Sequence, residues 1–177
     1  MTFQEIPQLQ QPGSYEVNIP LQFLAERVKQ FQKEYNLQIN PDFQRGHIWT
    51  EAQQIAYVEY YLAGGRSGMT FYFNQPSWQM RRNKNRDYDD FVLVDGLQRL
   101  TALLRFLNNE IMAYGQYVDD FDQPLRFADN MHFKWNINNI QTRAGVLNWY
   151  LEMNSGGTPH TKDELDRVRT LLKSEEI

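Results

Sequence analysis

Phe91-Val92-Leu93-Val94-Asp95-Gly96-Leu97-Gln98-Arg99-Leu100 is the stretch on which the fold turns. Its four apolar residues predict a strand, and the Leu100, Leu103, Leu104, Leu107 spacing predicts a helix directly behind it. Asp95-Gly96 is the junction. A carboxylate, a flexible backbone and a cation therefore meet at the carboxyl end of a strand. Open α/β sheets bind ligands at such points, and helix N-termini attract phosphate. Two readings of the junction stand. In one, the amides of Leu97, Gln98 and Arg99 hold an anion with Arg99, while Asp95 faces a metal or a water. In the other, Asp95 caps the helix, Gly96 serves the turn and Arg99 simply pairs with Asp95.

Outward from this point the chain alternates between strand and helix patterns. Tyr15–Ile19 reads as a strand. A helix follows Pro20, with Leu21, Leu24, Val28, Phe31 and Tyr35 on one face. Leu37–Phe43 reads as extended. Thr50 is a helix N-cap, Ile55, Val58 and Leu62 form the stripe behind it, and Gly64-Gly65 ends that helix. Met69–Phe73 is a second strand, followed by a polar loop over 74–90. Phe127–Ile137 reads as an edge strand or hairpin. A helix is expected across Arg143–Leu151, and another from Thr161, where Thr161 and Glu164 have capping-box spacing. The whole predicts one small α/β domain over 14–177, a short mixed sheet with packed helices, preceded by a flexible arm over 1–13.

The composition narrows the function. The 177 residues carry 41% hydrophobic and 14% aromatic content, enough for a folded core. The net charge of -4 gives no global basic field, so any nucleic-acid contact must be local. With no cysteine, disulfides, thiolate zinc sites and thiol catalysis are excluded. The sequence shows no signal peptide and no apolar run of the roughly 20 residues a membrane helix needs, so a cytoplasmic protein without membrane contact is expected. His47, His132 and His160 lack metal-ligand spacing, and no Walker, Rossmann or nucleophile-elbow motif is present.

Three further segments carry polar groups that chemistry could use. Phe43-Gln44-Arg45-Gly46 precedes the helix at Thr50, so either Arg45 faces an anion there, with Trp49 as a pocket wall or a hydrophobic staple, or Arg45 bonds local carbonyls and Phe43 and Trp49 are core residues. Asn154-Ser155-Gly156-Gly157-Thr158-Pro159 is either a helix stop and turn or a backbone loop over a ligand. Arg81, Arg82, Lys84 and Arg86 form a basic loop flanked by Trp78 and Tyr88. It could touch phosphates, although the acidic residues after it favour a solvated hairpin loop.

Taken in order, Phe43-Gln44-Arg45 with Trp49, Asp95 to Leu103, and Asn154-x-Gly156-Gly157-Thr158 leading to Glu164-Leu165 resemble a known family. It is the DGQQR-motif domain at the N-terminus of GmrSD-type (type IV) restriction proteins, in the ParB/sulfiredoxin superfamily. The resemblance spans roughly residues 15–172. It implies a ParB-like α/β (α+β) fold and nucleoside-triphosphate binding, with hydrolysis and Mg²⁺, in defence against phage or foreign DNA. It implies Asp95, Arg99 and Gln98 as catalytic groups, with Asp95 on the metal. Arg45, Gln44, Gly96, Leu97, Thr101 and Asn154 become the nucleotide and phosphate contacts. Leu97 stands where the family commonly has glutamine and a sulfiredoxin its cysteine, so sulfiredoxin chemistry is excluded. Expected partners are a nucleotide, and DNA or a protein that supplies a nuclease, since the restriction members carry a C-terminal nuclease domain and this sequence shows no such motif. The alternatives are a non-catalytic DNA- or protein-binding module, as an inhibitor or decoy, and a ParB-like nuclease.

Overall fold

The computed structural model describes residues 15–77, 88–122, 132–154 and 162–175. Four strands, β1 (Tyr15–Pro20), β2 (Thr70–Asn74), β3 (Val92–Asp95) and β4 (His132–Asn138), form one mixed sheet in the order β1-β4-β2-β3. β1 runs antiparallel to β4, β4 parallel to β2, and β2 antiparallel to β3. The helices among the described residues are α1 (Leu21–Tyr35), α2 (Glu51–Leu62), α3 (Leu97–Leu107), α4 (Arg143–Asn154) and α5 (Lys162–Glu175). The expected mixed α/β class is the observed one.

β3 explains the architecture. Val92, Leu93 and Val94 are all buried, so both faces of this strand are covered. Leu93 packs with α1 and with Leu97, Leu100 and Leu103 of α3 in the main core. Val92 and Val94 pack with Val146, Leu147 and Tyr150 of α4 and Val168 of α5. α3 is itself buried on a second side, where Ala102 and Phe106 meet Val58 of α2. The main core is aromatic: Trp135 lies 4.7 Å from Phe73, and Tyr61 stacks on Phe133 at 4.4 Å.

Local expectations hold in part. Thr50 caps α2, and Gln53 completes a capping box. α1 buries Leu21, Leu24 and Val28, but Tyr35 is exposed, past the end of the core. In α2 the buried line is Gln54, Val58 and Tyr61 rather than the expected Ile55, Val58 and Leu62. Gln54 tolerates burial because its amide donates to the Trp49 carbonyl at 3.1 Å and accepts from Arg105 at 2.8 Å. Of Leu37–Phe43, Gln38 alone joins the sheet, bridging Val92 beside β3.

One placement differs from expectation. β4 is an interior strand between β1 and β2, not an edge. Its alternation, with Phe133, Trp135 and Ile137 buried and His132, Lys134 and Asn136 partly exposed, reports one covered face. Alternation tells which face is wet and carries no information about neighbours in the plane of the sheet. The expectations for the arm 1–13, the basic loop with Arg81, Arg82, Lys84 and Arg86, the start of the Phe127–Ile137 segment, the Thr161 cap and the glycines after Asn154 lie outside the described residues. No helix among the described residues is long and apolar enough to cross a membrane.

Burial pushes the hydroxyls of Tyr57 and Tyr150 up to about 12, and raises those of Tyr61 and Tyr88 as well. The folded chain then keeps protons that the unfolded chain releases above a pH of about 10. Stability is therefore expected to hold from about pH 8 to about pH 9.5 and to fall above about pH 10. Urea midpoints measured across that range check this, and a midpoint that stays flat to about pH 11 would contradict it.

Candidate functional site

β3 ends where α3 begins, and the turn between them needs glycine. Gly96 has φ +112°, and a Cβ there would sit 2.4 Å from Cδ1 of Phe71. As N-cap of α3, Gly96 offers no side-chain acceptor. The amides of Leu97, Gln98 and Arg99 consequently have no hydrogen-bond partner among the described residues. Asp95 does not cap the helix. Its Oδ2 accepts from Nη2 of Arg99 at 2.7 Å, the i,i+4 pair of the plainer reading.

Arg99 is also committed elsewhere. Its Nη1 donates to the Thr70 carbonyl at 2.9 Å and to the Gly68 carbonyl, and its guanidinium lies 5.5 Å from the centroid of Phe71. One side chain thus ties the start of β2 to the end of β3 and the first turn of α3. In this arrangement Arg99 positions Asp95, rather than offering its charge to a ligand.

The two glutamines have a similar part. Gln98 accepts from the amides of Ile48 at 2.9 Å and Trp49 at 3.1 Å, and donates to the Gly46 carbonyl at 2.7 Å. Gln44 donates to the carbonyls of Leu93 at 3.0 Å and Val94 at 2.9 Å. Both are buried and fix the 44–49 segment against β3 and α3. Their side-chain amides already serve the protein's own backbone, so catalytic work by Gln98 or phosphate contact by Gln44 would cost these bonds.

That segment carries Arg45 to the β3–α3 junction. Its place in the chain suggested the start of α2 and the family resemblance a phosphate contact beside Asp95 and Arg99; the structure has Arg45 lining the same cleft as the start of α3. Gln44, Arg45, Trp49, Asp95, Gly96, Leu97, Gln98, Arg99, Tyr150, Met153 and Asn154 line a cleft of about 270 Å³. Nine expected site residues are described; eight line the cleft, and Thr101, in the second turn of α3, does not. Asn154 donates to the Tyr150 carbonyl at 2.7 Å, closing the end of α4 at the cleft wall.

Two acids and two bases surround the Tyr150 hydroxyl: Arg45 and Arg167, Glu164 and Asp95. Glu164 and Arg167 belong to α5 and were not expected at the site. Arg167 donates to the carbonyls of Phe43 at 3.3 Å and Gln44 at 2.5 Å, and Glu164 lies 3.9 Å from Arg45. The signal in the sequence was the Glu164-Leu165 end of the third motif, read there as a helix cap and a landmark. No group of three potential metal ligands occurs among the described residues, and neither His47 nor His132 lines the cleft.

This cleft, built from Arg45, the Asp95–Arg99 turn and Asn154 in chain order, is matched by a family description. The model of the GmrSD restriction endonuclease N-terminal domain covers residues 28–169. The chain belongs to that family. It is a restriction-system domain, and the match spans every residue lining the cleft. No curated protein and no solved structure matches the chain.

Two expected outcomes follow from the junction. Gly96→Ala combines a left-handed backbone with a clash against a core ring and should cost about 2–4 kcal/mol in chemical denaturation. Gly64→Ala, at φ +91° with open space around it, carries strain alone and should cost less. Equal losses would show that the Phe71 contact is unimportant. Gln98→Leu, which strips three partners from the 46–49 backbone, should cost about 2–4 kcal/mol by the same measurement, and a loss under about 1 kcal/mol would refute the pinning role.

Proposed function

We propose that this cleft binds the phosphates of a nucleoside triphosphate, and that the domain hydrolyses it in restriction of foreign DNA such as that of phage. The observation that carries the reading is convergence. Arg45 and the unpartnered amides of Leu97, Gln98 and Arg99 meet in one cleft, with a carboxylate at its edge. Oriented amides at a helix start, together with a guanidinium, are a receptor for phosphate oxygens. Family membership supports the setting.

Each residue then has a part. The α3 amides and Arg45 neutralise phosphate charge without moving, because the 44–49 segment and the turn are both pinned. Arg99 holds Asp95 by Oδ2, which leaves Oδ1 outside that bond in a residue that lines the cleft. That oxygen suits a water, or a Mg²⁺ that arrives with the nucleotide; one carboxylate plus substrate phosphates is an ordinary magnesium environment. The ion would supply charge neutralisation at the phosphates. Trp49 and Tyr150 offer ring surfaces for the base. Leu97 keeps the cleft floor apolar beside the helix start.

A non-catalytic module that reads DNA or a protein is the second reading. The engagement of Gln98 in the 46–49 backbone and the apolar Leu97 favour it, since both withhold polar groups from chemistry.

Calorimetry with the four ribonucleoside triphosphates and Mg²⁺ tests the binding. Arg45→Ala is expected to weaken it by about 10–100-fold, the worth of one charge-assisted contact. Asp95→Ala should abolish phosphate release while retaining most of the affinity. Absence of binding by the unmodified protein to any of the four would overturn the proposal. Binding without turnover would favour the second reading.

A further inference from the structure

Trp49 lines the cleft, and separate sets of contacts place its backbone and its ring. Its amide donates to Oε1 of Gln98 at 3.1 Å, and its carbonyl accepts from Nε2 of Gln54 at 3.1 Å. Those bonds fix the backbone and leave the angle of the indole to packing. The aromatic neighbour is Tyr57 of α2, whose ring centroid lies 5.6 Å from that of Trp49 at an interplanar angle of 62°. This is an edge-to-face contact, an arrangement that ring quadrupoles favour. Tyr57 is not among the residues that line the cleft.

Tyr57 is fixed at its other end. Its hydroxyl donates to the Gly68 carbonyl at 3.2 Å, and the same carbonyl accepts from Nη1 of Arg99. A carbonyl oxygen has two lone pairs and serves both donors. Burial pushes the Tyr57 hydroxyl up to about 12, with the Arg99 charge acting in the opposite direction, so it stays a donor throughout the neutral range. The acceptor is anchored as well. The 64–68 loop folds around Tyr60: the Gly65 amide donates to the Tyr60 carbonyl at 2.9 Å, and the Ser67 amide to the Tyr60 hydroxyl at 3.1 Å. Contacts therefore run without a break from Asp95 through Arg99, the Gly68 carbonyl and Tyr57 to Trp49.

We propose that Tyr57 is a positioning residue for the base of a bound nucleotide, holding the Trp49 ring at the angle from which it stacks. The proposal rests on the triphosphate reading of the cleft, in which Trp49 offers a ring surface to the base. Offset stacking needs the two ring planes to lie close to parallel, so a wall free to tilt loses part of its attraction. A bare polyphosphate meets Arg45 and the start of α3 and makes no use of the angle of an indole. Tyr57 therefore acts on nucleotides and not on inorganic polyphosphate. Because Tyr57 and Arg99 share one acceptor, the support for the base is continuous with the framework that holds Asp95.

The test titrates the full chain, as unmodified protein, Tyr57→Phe, Tyr57→Leu, Trp49→Ala and the double variant Trp49→Ala/Tyr57→Leu, with the four ribonucleoside triphosphates and with tripolyphosphate. Trp49→Ala is expected to weaken the nucleotide that binds best by about 5–100-fold, the worth of one base–aromatic stack, and to leave tripolyphosphate unchanged. Tyr57→Leu, which removes the ring and the hydroxyl, should weaken the nucleotide by about 5–10-fold, again with tripolyphosphate unchanged. Tyr57→Phe keeps the ring and should lose only about 2–3-fold, the share of one hydrogen bond. In the double variant Tyr57→Leu should add no loss to that of Trp49→Ala. A merely structural role for Tyr57 predicts an equal change for both ligands. An unchanged ratio of the two affinities in Tyr57→Leu overturns the positioning role and leaves the triphosphate reading standing; should the leucine variant not fold, the ratio in Tyr57→Phe decides. Additive losses in the double variant, or an unchanged ratio in Trp49→Ala, overturn it equally. Binding of none of these ligands by the unmodified protein overturns both readings.

Discussion

The grip of Arg99 is the interaction on which the rest of this site depends. A helix that starts one residue after a buried strand must be turned sharply and then held. Gly96 provides the turn through a backbone region closed to most side chains, and Phe71 fills the space where a Cβ would lie. Arg99 provides the hold. It reaches back across the turn to Asp95 and sideways to the carbonyls at the start of β2. A lysine could not do this, since the geometry uses the guanidinium as a planar fork between three acceptors. The cost of burying part of a cation is offset because every contact also orders the junction. The consequence is that the start of α3, whose first residues line the cleft, is held by contacts within the protein itself.

The second constraint is backbone satisfaction away from secondary structure. The 44–49 segment is neither helix nor strand, yet it is packed against the sheet and against α3. Its polar groups need partners, and two buried glutamines supply them in reciprocal fashion. Gln44 on the segment satisfies carbonyls of β3, while Gln98 on α3 satisfies the segment. Motif residues that look like catalytic groups in a linear sequence are here the fasteners of a loop. Their value to function is that Arg45 is delivered to a fixed position.

How much of this was legible in the sequence follows from the range of the interactions. The strand–turn–helix unit at Phe91–Leu107 was readable because its signals are local: an apolar run, a glycine, a spacing of three and four. The capping box at Thr50 was readable for the same reason. Membership of β4 in the sheet interior was not, because pairing partners lie far along the chain and leave no trace in the strand's own alternation. Arg45 was joined to the Asp95–Arg99 site by the family resemblance, while its own neighbourhood pointed to the nearer helix start; the choice between α2 and α3 is made by Gln98, more than fifty residues beyond it. Glu164 was noticed for its position in a motif, and its approach to Arg45 depends on how α5 packs under Val168.

The charges of the cleft then rank themselves. Arg99 and Arg45 each have an acid nearby, whereas Arg167 is held by the backbone carbonyls of Phe43 and Gln44. The pairs are not equivalent. Asp95 and Arg99 are joined by a short hydrogen bond, and Arg99 is secured at two further acceptors. Arg45 and Glu164 approach each other at 3.9 Å. The tight pair keeps the turn intact, so the position of the helix start is set by contacts within β2, β3 and α3 and not by α5.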